Sequence, residues 1–409
     1  MTESIEKELL EEIKEDHNYI VSLRRHFHMN PEIAKEEFQT ALKIEEELDK
    51  IGLAHKRVGD TGVYAEIKGK KKAGGAEVSG STEGPSKTIV LRADIDALPI
   101  QETHECEYKS KTSGRMHACG HDAHTASLLG AARILNVHKD LFSDTIRLTF
   151  QAGEEIGYGA RIFVDNGYLD GADRTFGMHA ASNLPTGKVA LVPGPNNASV
   201  DWFKITVKGA PAHVSTPQLG SDAAYIASQI VISTQALITR RTSPMDNVLV
   251  GIGKITAGDA YNIVAQKAEL EGTIRAFTPE VRERTKQLLA DMSKQTAQLF
   301  GGEAEVEYID FASPLINDQT STEEVQKTAV RLFGEENVIK NRQASLGGDD
   351  FAEYIIKVPG TYAYFGTGNP AKEGTTAAHH DSKFDLDEDA LIQSVSLYTF
   401  YAIDFLTIN

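Results

Sequence analysis

The stretch TIRLTFQAGEEIGYGARIFVDNGYLDGADRTFGMH, residues 145–179, decides the fold class. It begins with an apolar run, TIRLTFQ, continues through a helical segment near GARIFVDNG, and ends in a second apolar run, RTFGMH. A strand, a helix and a strand in this order are typical of a parallel βαβ unit. Polar residues stand at the ends of both runs, where ligands collect in open α/β sheets. The stretch therefore predicts a parallel sheet with a site beyond the carboxyl ends of its strands.

The same alternation extends to both sides of this stretch. Strand IVLRAD and a helix through HTASLLGAARILN precede it, while helix TEEVQKTAVRLFG, strand TYAYFGTG and a last helix from Glu388 occur near the end of the chain. We predict an α/β domain with a mostly parallel central sheet that helices cover on both faces.

The beginning of this domain contains a helical region and an insertion. Residues 2–53 have apolar positions at helical spacing and predict helix. The next segments, GVYAEIKG and TIVLRADID, predict a strand pair. Between them, residues 69–87 are rich in Gly, Ser and Lys, and we interpret them as a flexible hairpin tip or surface insertion without an assigned role.

A second domain begins near residue 196, where the order of predicted elements changes. Residues 196–309 predict β-α-β-β-α-β, the order of a ferredoxin-like four-stranded antiparallel sheet with two helices. We predict an inserted α+β domain there, so that the first domain comprises residues 1–195 and 310–409. Two domains also suit a chain of 409 residues, because single cores stop growing at roughly 250–300 residues.

Composition and charge exclude several classes of function. The net charge of −17 argues against a nucleic-acid partner, and no run approaches the roughly 18 apolar residues that span a bilayer. The acidic start, MTESIEKELLEEIKEDHNYI, is unlike a secretory signal. Two cysteines, Cys106 and Cys119, are too few for a disulfide framework. We therefore predict a cytoplasmic protein without a nucleic-acid or membrane partner.

The strongest chemical signal is MHACGHDAHTA, residues 116–126, which contains a cysteine and three histidines. Cys119 and His121 could both reach a metal ion from an irregular loop, since thiolate and imidazole suit zinc, cobalt or manganese-like ions. The alternative is a helix start with Asp122 in its first turn. The spacing favours ligation by Cys119 and His121 over ligation by His117 and His124.

The second signal is the acidic pair Glu154 and Glu155, which follows the apolar strand and precedes a Gly-containing turn. Metal-dependent hydrolysis of amides needs one carboxylate to take a proton from metal-bound water and another to hold the metal. Neighbouring glutamates are usually a solvated surface pair. The strand before them and the glycines after them favour the functional interpretation here.

Further candidates are single polar residues near strand ends. His179 ends FGMH, and His379 and His380 precede the last helix. A single histidine near a strand end is more often a polar side chain that simply has a hydrogen-bond partner. Together with one Cys and one Glu, however, these histidines could form a dinuclear metal site in which a thiolate or a carboxylate bridges the two ions. The RADID segment, residues 92–96, could supply Asp94 as the acceptor that orients a ligand histidine, or simply cap a turn.

Motifs along nearly the whole chain resemble the metal-dependent aminoacylase and carboxypeptidase G family. They are RRHFHMNPE (24–32), RADIDALPI (92–100), MHACGHDAHTA (116–126), QAGEEIGYGA (151–160), MHA (178–180), VKGAPAHVSTP (207–217), AGDAYNIV (257–264), EGTIRAF (271–277), GGDDF (347–351) and HHDSKFDLDEDAL (379–391). The Cys-Gly-His version of the metal loop is similar to the amidohydrolase branch. That branch includes auxin-conjugate hydrolases, hippurate-type aminoacylases, N-acetyldiaminopimelate deacetylases and aminobenzoyl-glutamate hydrolases.

The resemblance implies a zinc-peptidase-like catalytic domain that holds two divalent metal ions, manganese or zinc, with cobalt or nickel as alternatives. The ligands it implies are Cys119, His121, Glu155, His179 and His380. It implies Glu154 as the general base. It also favours His380 over His379, because the ligand histidine of this branch stands four residues before the Phe of the closing motif, here Phe384.

The resemblance assigns further roles to the inserted domain, which serves relatives as a lid and commonly as a dimerisation domain. His213 corresponds to a lid histidine that stabilises the oxyanion, often across the dimer. Asn262, Arg275 and Gly347 correspond to substrate-binding positions. The lid loop departs from the usual Gly-Gly-His, because Pro211 and Ala212 precede His213, and proline restricts the flexibility of the loop.

The function implied is that of an amidohydrolase that cleaves N-acyl amino acids by attack of a metal-bound water, with Glu154 as base. A dipeptidase or carboxypeptidase of the same family is the main alternative. A binding protein that has lost catalysis is a third, against which the complete ligand set argues. The resemblance also implies a homodimer or homotetramer formed through the lid, with neither nucleic acid nor membrane as partner.

Overall fold

A computed structural model describes residues 2–70 and 86–407. Most of the predicted insertion, residues 71–85, lies outside the described residues, so its interpretation as a surface insertion stays a prediction. The alternative, a hairpin tip, is wrong, because the strands on either side of it do not pair with each other. Within the described ranges, no helix is long and apolar enough to cross a membrane.

The elements are numbered in chain order. The helices are α1 (Glu3–Glu15), α2 (His17–Met29), α3 (Phe38–Lys50), α4 (His121–Val137), α5 (Gly159–Asp165), α6 (Ala223–Ala236), α7 (Pro279–Leu299), α8 (Gln319–Phe333), α9 (Ala352–Lys357) and α10 (Ala390–Thr407). The strands are β1 (His55–Val58), β2 (Gly62–Lys68), β3 (Thr88–Asp94), β4 (Thr145–Gln151), β5 (Arg174–Pro185), β6 (Val189–Ala190), β7 (Gly194–Asn197), β8 (Val200–Lys208), β9 (Val248–Ala257), β10 (Lys267–Ala276), β11 (Glu303–Ala312), β12 (Leu315–Asn317), β13 (Val338–Ile339) and β14 (Gly360–Gly368).

The region predicted as helix over residues 2–53 consists of three helices, α1, α2 and α3. Helix α2 ends at Met29, and Asn30 leaves the helical region of φ and ψ (−126°, 55°). Pro31 explains this end, because a proline disfavours the helical conformation of the residue before it. Before α3 begins, Ile33 forms an isolated parallel bridge with Ala97, which lies just beyond the end of the strand Thr88–Asp94.

The chain forms two compact units. The first contains residues 1–194, 317–343 and 353–409, and the second contains residues 195–316 and 344–352. The predicted second domain, residues 196–309, lies within the second unit, which also takes in the later segment 344–352.

The first unit is built on an eight-stranded sheet of order β1-β2-β4-β3-β5-β14-β6-β13. The central pairs β4–β3, β3–β5 and β5–β14 are parallel, which confirms the predicted fold class. Every residue of β3 is buried, as a central strand covered on both faces requires. Helices α1, α2, α3, α4, α8 and α10 share one hydrophobic cluster with these strands.

The predicted pairing of GVYAEIKG with TIVLRADID is wrong. Strand β4 lies between β2 and β3, antiparallel to β2 and parallel to β3. The two segments are thus separate neighbours of β4, because the central, doubly covered position goes to the fully buried β3. This arrangement places the ends of β3 and β4 side by side, with Asp94 opposite Gln151.

The second unit contains β8, α6, β9, β10, α7 and β11, which is the β-α-β-β-α-β order read from the sequence. Its four-stranded sheet has the order β11-β8-β10-β9, and all three pairs are antiparallel. Phe203, Ile205 and Val207 alternate along β8 into a core that α6 and α7 complete. The role of this unit as a lid or dimerisation domain stays a prediction.

Candidate metal centre

The loop before α4 presents Cys119 and His121 at the carboxyl ends of the central strands. Gly120 joins them with φ of 92°, a left-handed conformation that side chains rarely adopt. A Cβ there would also lie 3.0 Å from the Cβ of Ala180. Helix α4 begins at His121, so the helix-start interpretation and the metal-ligand interpretation are compatible.

His121 is fully buried and has one ring nitrogen left for a metal ion. Its Nδ1 lies 2.9 Å from the carbonyl oxygen of Asp96, so this nitrogen carries the proton and donates it. Its Nε2 has no hydrogen-bond partner in the described part of the chain. Nearby are the carboxylates of Asp94, 3.7 Å away, and Glu155, 3.9 Å away. A buried ring nitrogen that faces carboxylates without a hydrogen bond fits a cation between them, and a metal ion bound there would displace a proton.

His179 also uses one ring nitrogen in a hydrogen bond and has the other directed toward Cys119. Its Nδ1 lies 2.7 Å from the carbonyl oxygen of Ala180, which leaves Nε2 unprotonated at 3.4 Å from Sγ of Cys119. The sequence placed His179 at the end of its strand, but β5 continues to Pro185. The strand is longer because β14 pairs with it through this region, with Tyr364 opposite His179 and Gly368 opposite Pro185.

Glu154 and Glu155 lie on a short 3-10 turn that follows β4. Gly153 enters this turn with φ of 65°. The carboxylate of Asp96 accepts the backbone N–H groups of Glu154 (3.1 Å) and Glu155 (3.0 Å). The buried carboxylate of Glu37 accepts the N–H of Gly153 (2.9 Å). Two buried carboxylates thus hold three consecutive amides and fix the direction of both glutamate side chains.

His380 reaches the same place from the segment before α10. It has φ of 66°, its N–H donates to the carbonyl oxygen of Ala118 (2.8 Å), and its Nε2 lies 3.4 Å from Oε1 of Glu155. His379 instead packs its ring against His179 and Phe384, with centroid distances of 5.0 and 5.2 Å. The backbone turn at position 380 therefore directs His380, and not His379, toward Glu155.

Two groups of potential metal ligands share one thiol. One consists of Cys119, His121 and His179, and the other consists of Cys119, Glu155 and His380. Within each group the ligand atoms lie within 4.8 Å of one another. The structure thus brings together all five ligand positions that the resemblance implied. Cys119 is the residue common to both groups.

Asp94 orients a histidine, but not one of the predicted ligands. Its Oδ1 lies 2.5 Å from Nδ1 of His124, and its Oδ2 lies 2.6 Å from Nη1 of Arg92. The Nε2 of His124 accepts the N–H of Ala180 (2.8 Å). Both nitrogens of His124 are therefore occupied, which leaves it unsuited to ligation. The acceptor that orients His121 is Asp96, two residues further along RADID, and the sequence analysis missed it.

Burial and charge at this centre favour divalent cations. Burial and the neighbouring carboxylates of Glu155 and Glu154 hold the pKa of the Cys119 thiol well above its usual value. Although burial lowers the pKa of His121, the carboxylates of Asp94 and Asp96 raise it to about 10. The pocket therefore carries excess negative charge, and a metal ion would satisfy it while holding Cys119 as thiolate.

A buried ionic cluster lies behind the centre and was also missed. The guanidinium of Arg24 donates to Asp122 (2.8 Å) and Asp385 (2.6 Å), and His28 bonds to Asp122 (2.8 Å). Arg24, His28 and Asp122 are fully buried. The cluster ties α2 and the start of α4 to the segment that carries His380. Arg24 and His28 belong to the RRHFH motif. The sequence analysis used that motif only as part of the family resemblance and assigned no contact to its residues.

The remaining predicted residues belong to the second unit. His213 pairs with Ile263, and the N–H of Val214 donates to the carbonyl oxygen of Asn262 (3.1 Å), so His213 and Asn262 are neighbours with exposed side chains. The guanidinium of Arg275, half-buried on β10, donates to Thr273 Oγ1 and to the carbonyl oxygen of Ile274.

Gly347 is exposed, and its N–H donates to Oγ of Ser345 (3.0 Å). The roles of His213, Asn262, Arg275 and Gly347 in catalysis and substrate binding stay predictions.

Comparison with known proteins places the chain among metallohydrolases. The model of Peptidase family M20/M25/M40 matches residues 90–404. The N-acetyl-L-cysteine deacetylase of Bacillus subtilis is 38% identical over 92% of this chain and 85% of its own length. Thermostable carboxypeptidase 2 of Saccharolobus solfataricus is 36% identical over 98% of both chains.

A solved structure supports the same placement. The YXEP protein of Bacillus subtilis, described as a dinuclear metal binding peptidase from the M20 family, superposes with a TM-score of 0.81 at 33% identity. The match covers 96% of this chain and 99% of the YXEP chain. The likeness therefore extends over both units.

Proposed function

The chain belongs to Peptidase family M20/M25/M40, and from this premise we propose that it hydrolyses the amide bond of N-acyl amino acids with two divalent metal ions. As a member it is a hydrolase of carbon–nitrogen bonds. A deacetylase of an N-acetyl amino acid among its relatives supports the N-acyl amino acid as the substrate class.

The observation that carries the proposal is the pair of ligand groups that share Cys119. We propose that Cys119, His121 and His179 would hold one ion and that Cys119, Glu155 and His380 would hold the other. The unpartnered Nε2 of buried His121 supports this assignment. Thiolate, imidazole and carboxylate are ligands that zinc and manganese accept, and cobalt or nickel would fit the same set.

When bound, the ions polarise the scissile carbonyl and lower the pKa of water. Glu154 takes the proton of the attacking water as general base, and afterwards gives it to the departing amine. Its buried position, 6% exposed, and the hydrogen bond from its backbone N–H to the carboxylate of Asp96 support this role. We propose that His213 donates to the tetrahedral oxyanion, a contact whose removal typically costs about 2.7–4 kcal/mol in barrier.

We further propose that Asn262, Arg275 and Gly347 bind the substrate carboxylate. Arg275 suits this role because, among the described residues, its guanidinium donates hydrogen bonds to a hydroxyl and a carbonyl oxygen but pairs with no carboxylate. A guanidinium can bind a carboxylate through two parallel hydrogen bonds, which an ammonium group cannot do.

We propose a homodimer or homotetramer that forms through the second unit. Strand β9 is an edge of that unit's sheet, and its side chains Leu249 and Ile255 are 39% and 52% exposed. Edge strands with exposed apolar side chains are common pairing sites. We also propose a cytoplasmic location, which the two free thiols, Cys106 and Cys119, support.

The test combines metal analysis with hydrolysis. Glu154→Gln removes the base and leaves the proposed ligands, so we expect two metal ions per subunit and loss of nearly all turnover of N-acetyl amino acids. Glu155→Gln should lose metal as well as activity. Glu105→Gln changes an exposed glutamate and should change neither quantity. Near-normal turnover by the Glu154→Gln protein would refute the assignment of the base.

Carboxypeptidase activity is the second candidate, because a carboxypeptidase is 36% identical over 98% of the chain. Both activities would use the same centre and differ only in the group on the acyl side of the bond, a simple acyl group in one case and a peptidyl group in the other. A panel of acetyl amino acids and blocked dipeptides distinguishes them, since a carboxypeptidase prefers the peptides in kcat/KM.

A further inference from the structure

Arg342 stands apart from every other arginine in the first unit. Among the described residues of that unit, each of the others lies within ion-pair distance of a carboxylate oxygen. These are Arg24, Arg25, Arg57, Arg92, Arg115, Arg133, Arg147, Arg161, Arg174 and Arg331. Within residues 2–70 and 86–407, Arg342 has no such partner, although the chain has 59 acidic residues against 42 basic ones.

The guanidinium of Arg342 is also partly buried without a hydrogen bond. Its Nη1 is buried and has no acceptor within residues 2–70 and 86–407. Buried donors in folded proteins almost always have a partner, so an unsatisfied one indicates a missing ligand, ion or water.

The position of Arg342 places this donor beside the candidate metal centre. Its Cζ lies 3.7 Å from the ring centroid of Tyr364. Tyr364 on β14 is the register partner of His179 on β5, and the two ring centroids are 6.0 Å apart. A group bound by Arg342 would thus be close to the amide bond that the metal ions act on.

Stacking on Tyr364 holds the guanidinium without using its donors. The interaction with the ring occupies the face of the guanidinium, while its N–H groups lie in its plane and remain available. The ring of Tyr364 is itself only 6% exposed, so it is a fixed platform. A planar cation held in this way is prepared for two parallel hydrogen bonds to a carboxylate.

We propose that Arg342 binds a second carboxylate of the substrate, one that is distinct from the α-carboxylate. The preferred substrates are then N-acyl amino acids with two negative charges. The second charge lies either on the amino-acid side chain or on a dicarboxylic acyl group. This inference rests on the proposed function, which supplies the N-acyl amino acid and the position of its amide bond.

Matched substrates that differ only in this charge test the proposal. N-acetylglutamate is compared with N-acetylglutamine for the side chain, and N-succinylmethionine with its carboxamide analogue for the acyl group. In the wild-type enzyme we expect at least one carboxylate to be preferred by about 10- to 100-fold in kcat/KM, as for a charge-assisted hydrogen bond. The pair that shows the preference identifies the source of the carboxylate.

The variants Arg342→Gln and Arg342→Lys connect the preference to this residue. Arg342→Gln should abolish it and leave kcat/KM for the substrate without a second carboxylate within about 3-fold of wild type, because that substrate makes no charged contact at position 342. Arg342→Lys should keep part of it, since an ammonium group retains the charge but not the paired geometry. Metal content and thermal stability are measured for each variant to exclude misfolding.

The outcomes separate this inference from the proposed function. A wild-type enzyme that hydrolyses the substrates without a second carboxylate but shows no preference in either pair would overturn the inference alone. So would an Arg342→Gln protein that keeps the preference, or that loses activity equally on both members of a pair. A metal-loaded wild-type enzyme that hydrolyses none of the four compounds would overturn the proposed function and the inference with it.

Discussion

Two neighbouring arginines in α2 allow a direct measurement of what the buried ionic cluster contributes to stability. Arg24 is fully buried between Asp122 and Asp385, whereas the side chain of Arg25 is 38% exposed and pairs with Glu388. Removing one partner of a buried ion pair costs about 3–5 kcal/mol, because it leaves an uncompensated buried charge. An exposed pair contributes about 0–1 kcal/mol. We therefore expect Arg24→Met to lower the free energy of unfolding by about 3–5 kcal/mol and Arg25→Met by less than about 1 kcal/mol.

Urea unfolding of the two variants measures this difference. Far-UV circular dichroism is the suitable signal, because the single tryptophan, Trp202, lies in the second unit and does not report on the first. Both variants remove an arginine from the same helix and gain the same methionine, so changes in helix propensity cancel. Equal losses in the two variants would refute the reasoning that burial makes Arg24 the important residue.

Three further predictions concern the centre and its support. Glu37→Gln should remove a pH dependence of stability. Burial and the charge of Asp96 raise the pKa of Glu37 to about 7 in the folded protein. The free energy of unfolding of the wild type should therefore fall as pH rises from about 4.5 to 7. The variant should therefore gain about 3 kcal/mol relative to wild type over that interval, and parallel curves from urea titrations at several pH values would contradict this. Gly120→Ala should lower metal content and activity, because residue 120 needs a left-handed φ and its Cβ would meet Ala180; metal analysis of the purified protein decides this. Chelation of the metals should lower Tm in the wild type more than in Cys119→Ser, which calorimetry with and without chelator would show.

The sequence by itself determined the fold class and the local part of the site. The parallel βαβ order was readable because β3, β4 and β5 are apolar runs separated by helical segments. Cys119, His121 and Glu155 could be predicted as metal ligands from the sequence, because residue types that bind metal ions stand close together at a strand end or helix start. His179 and His380 depended on the family resemblance, since single histidines carry little local signal.

Only the tertiary structure showed which of two nearby residues in the RADID motif orients a predicted metal ligand. Asp94 and Asp96 lie two residues apart in one segment, yet Asp96 holds His121 and the turn of Glu154, while Asp94 holds His124. For His380 the family resemblance had already favoured this residue over His379, and the φ of 66° supplies the physical reason, because it directs His380 toward Glu155. The different roles of Asp94 and Asp96 depend on contacts between segments far apart in the chain, and no local pattern encodes them.

The same reason explains the supporting residues and the sheet order. Glu37 reaches Gly153, and Arg24 reaches Asp385, across more than a hundred residues of sequence. Strand β4 enters between β2 and β3 because the central position must be covered on both faces, a condition set by the whole packing. Composition and spacing thus determine which chemistry the chain can carry, and close packing of distant segments determines which atoms carry it.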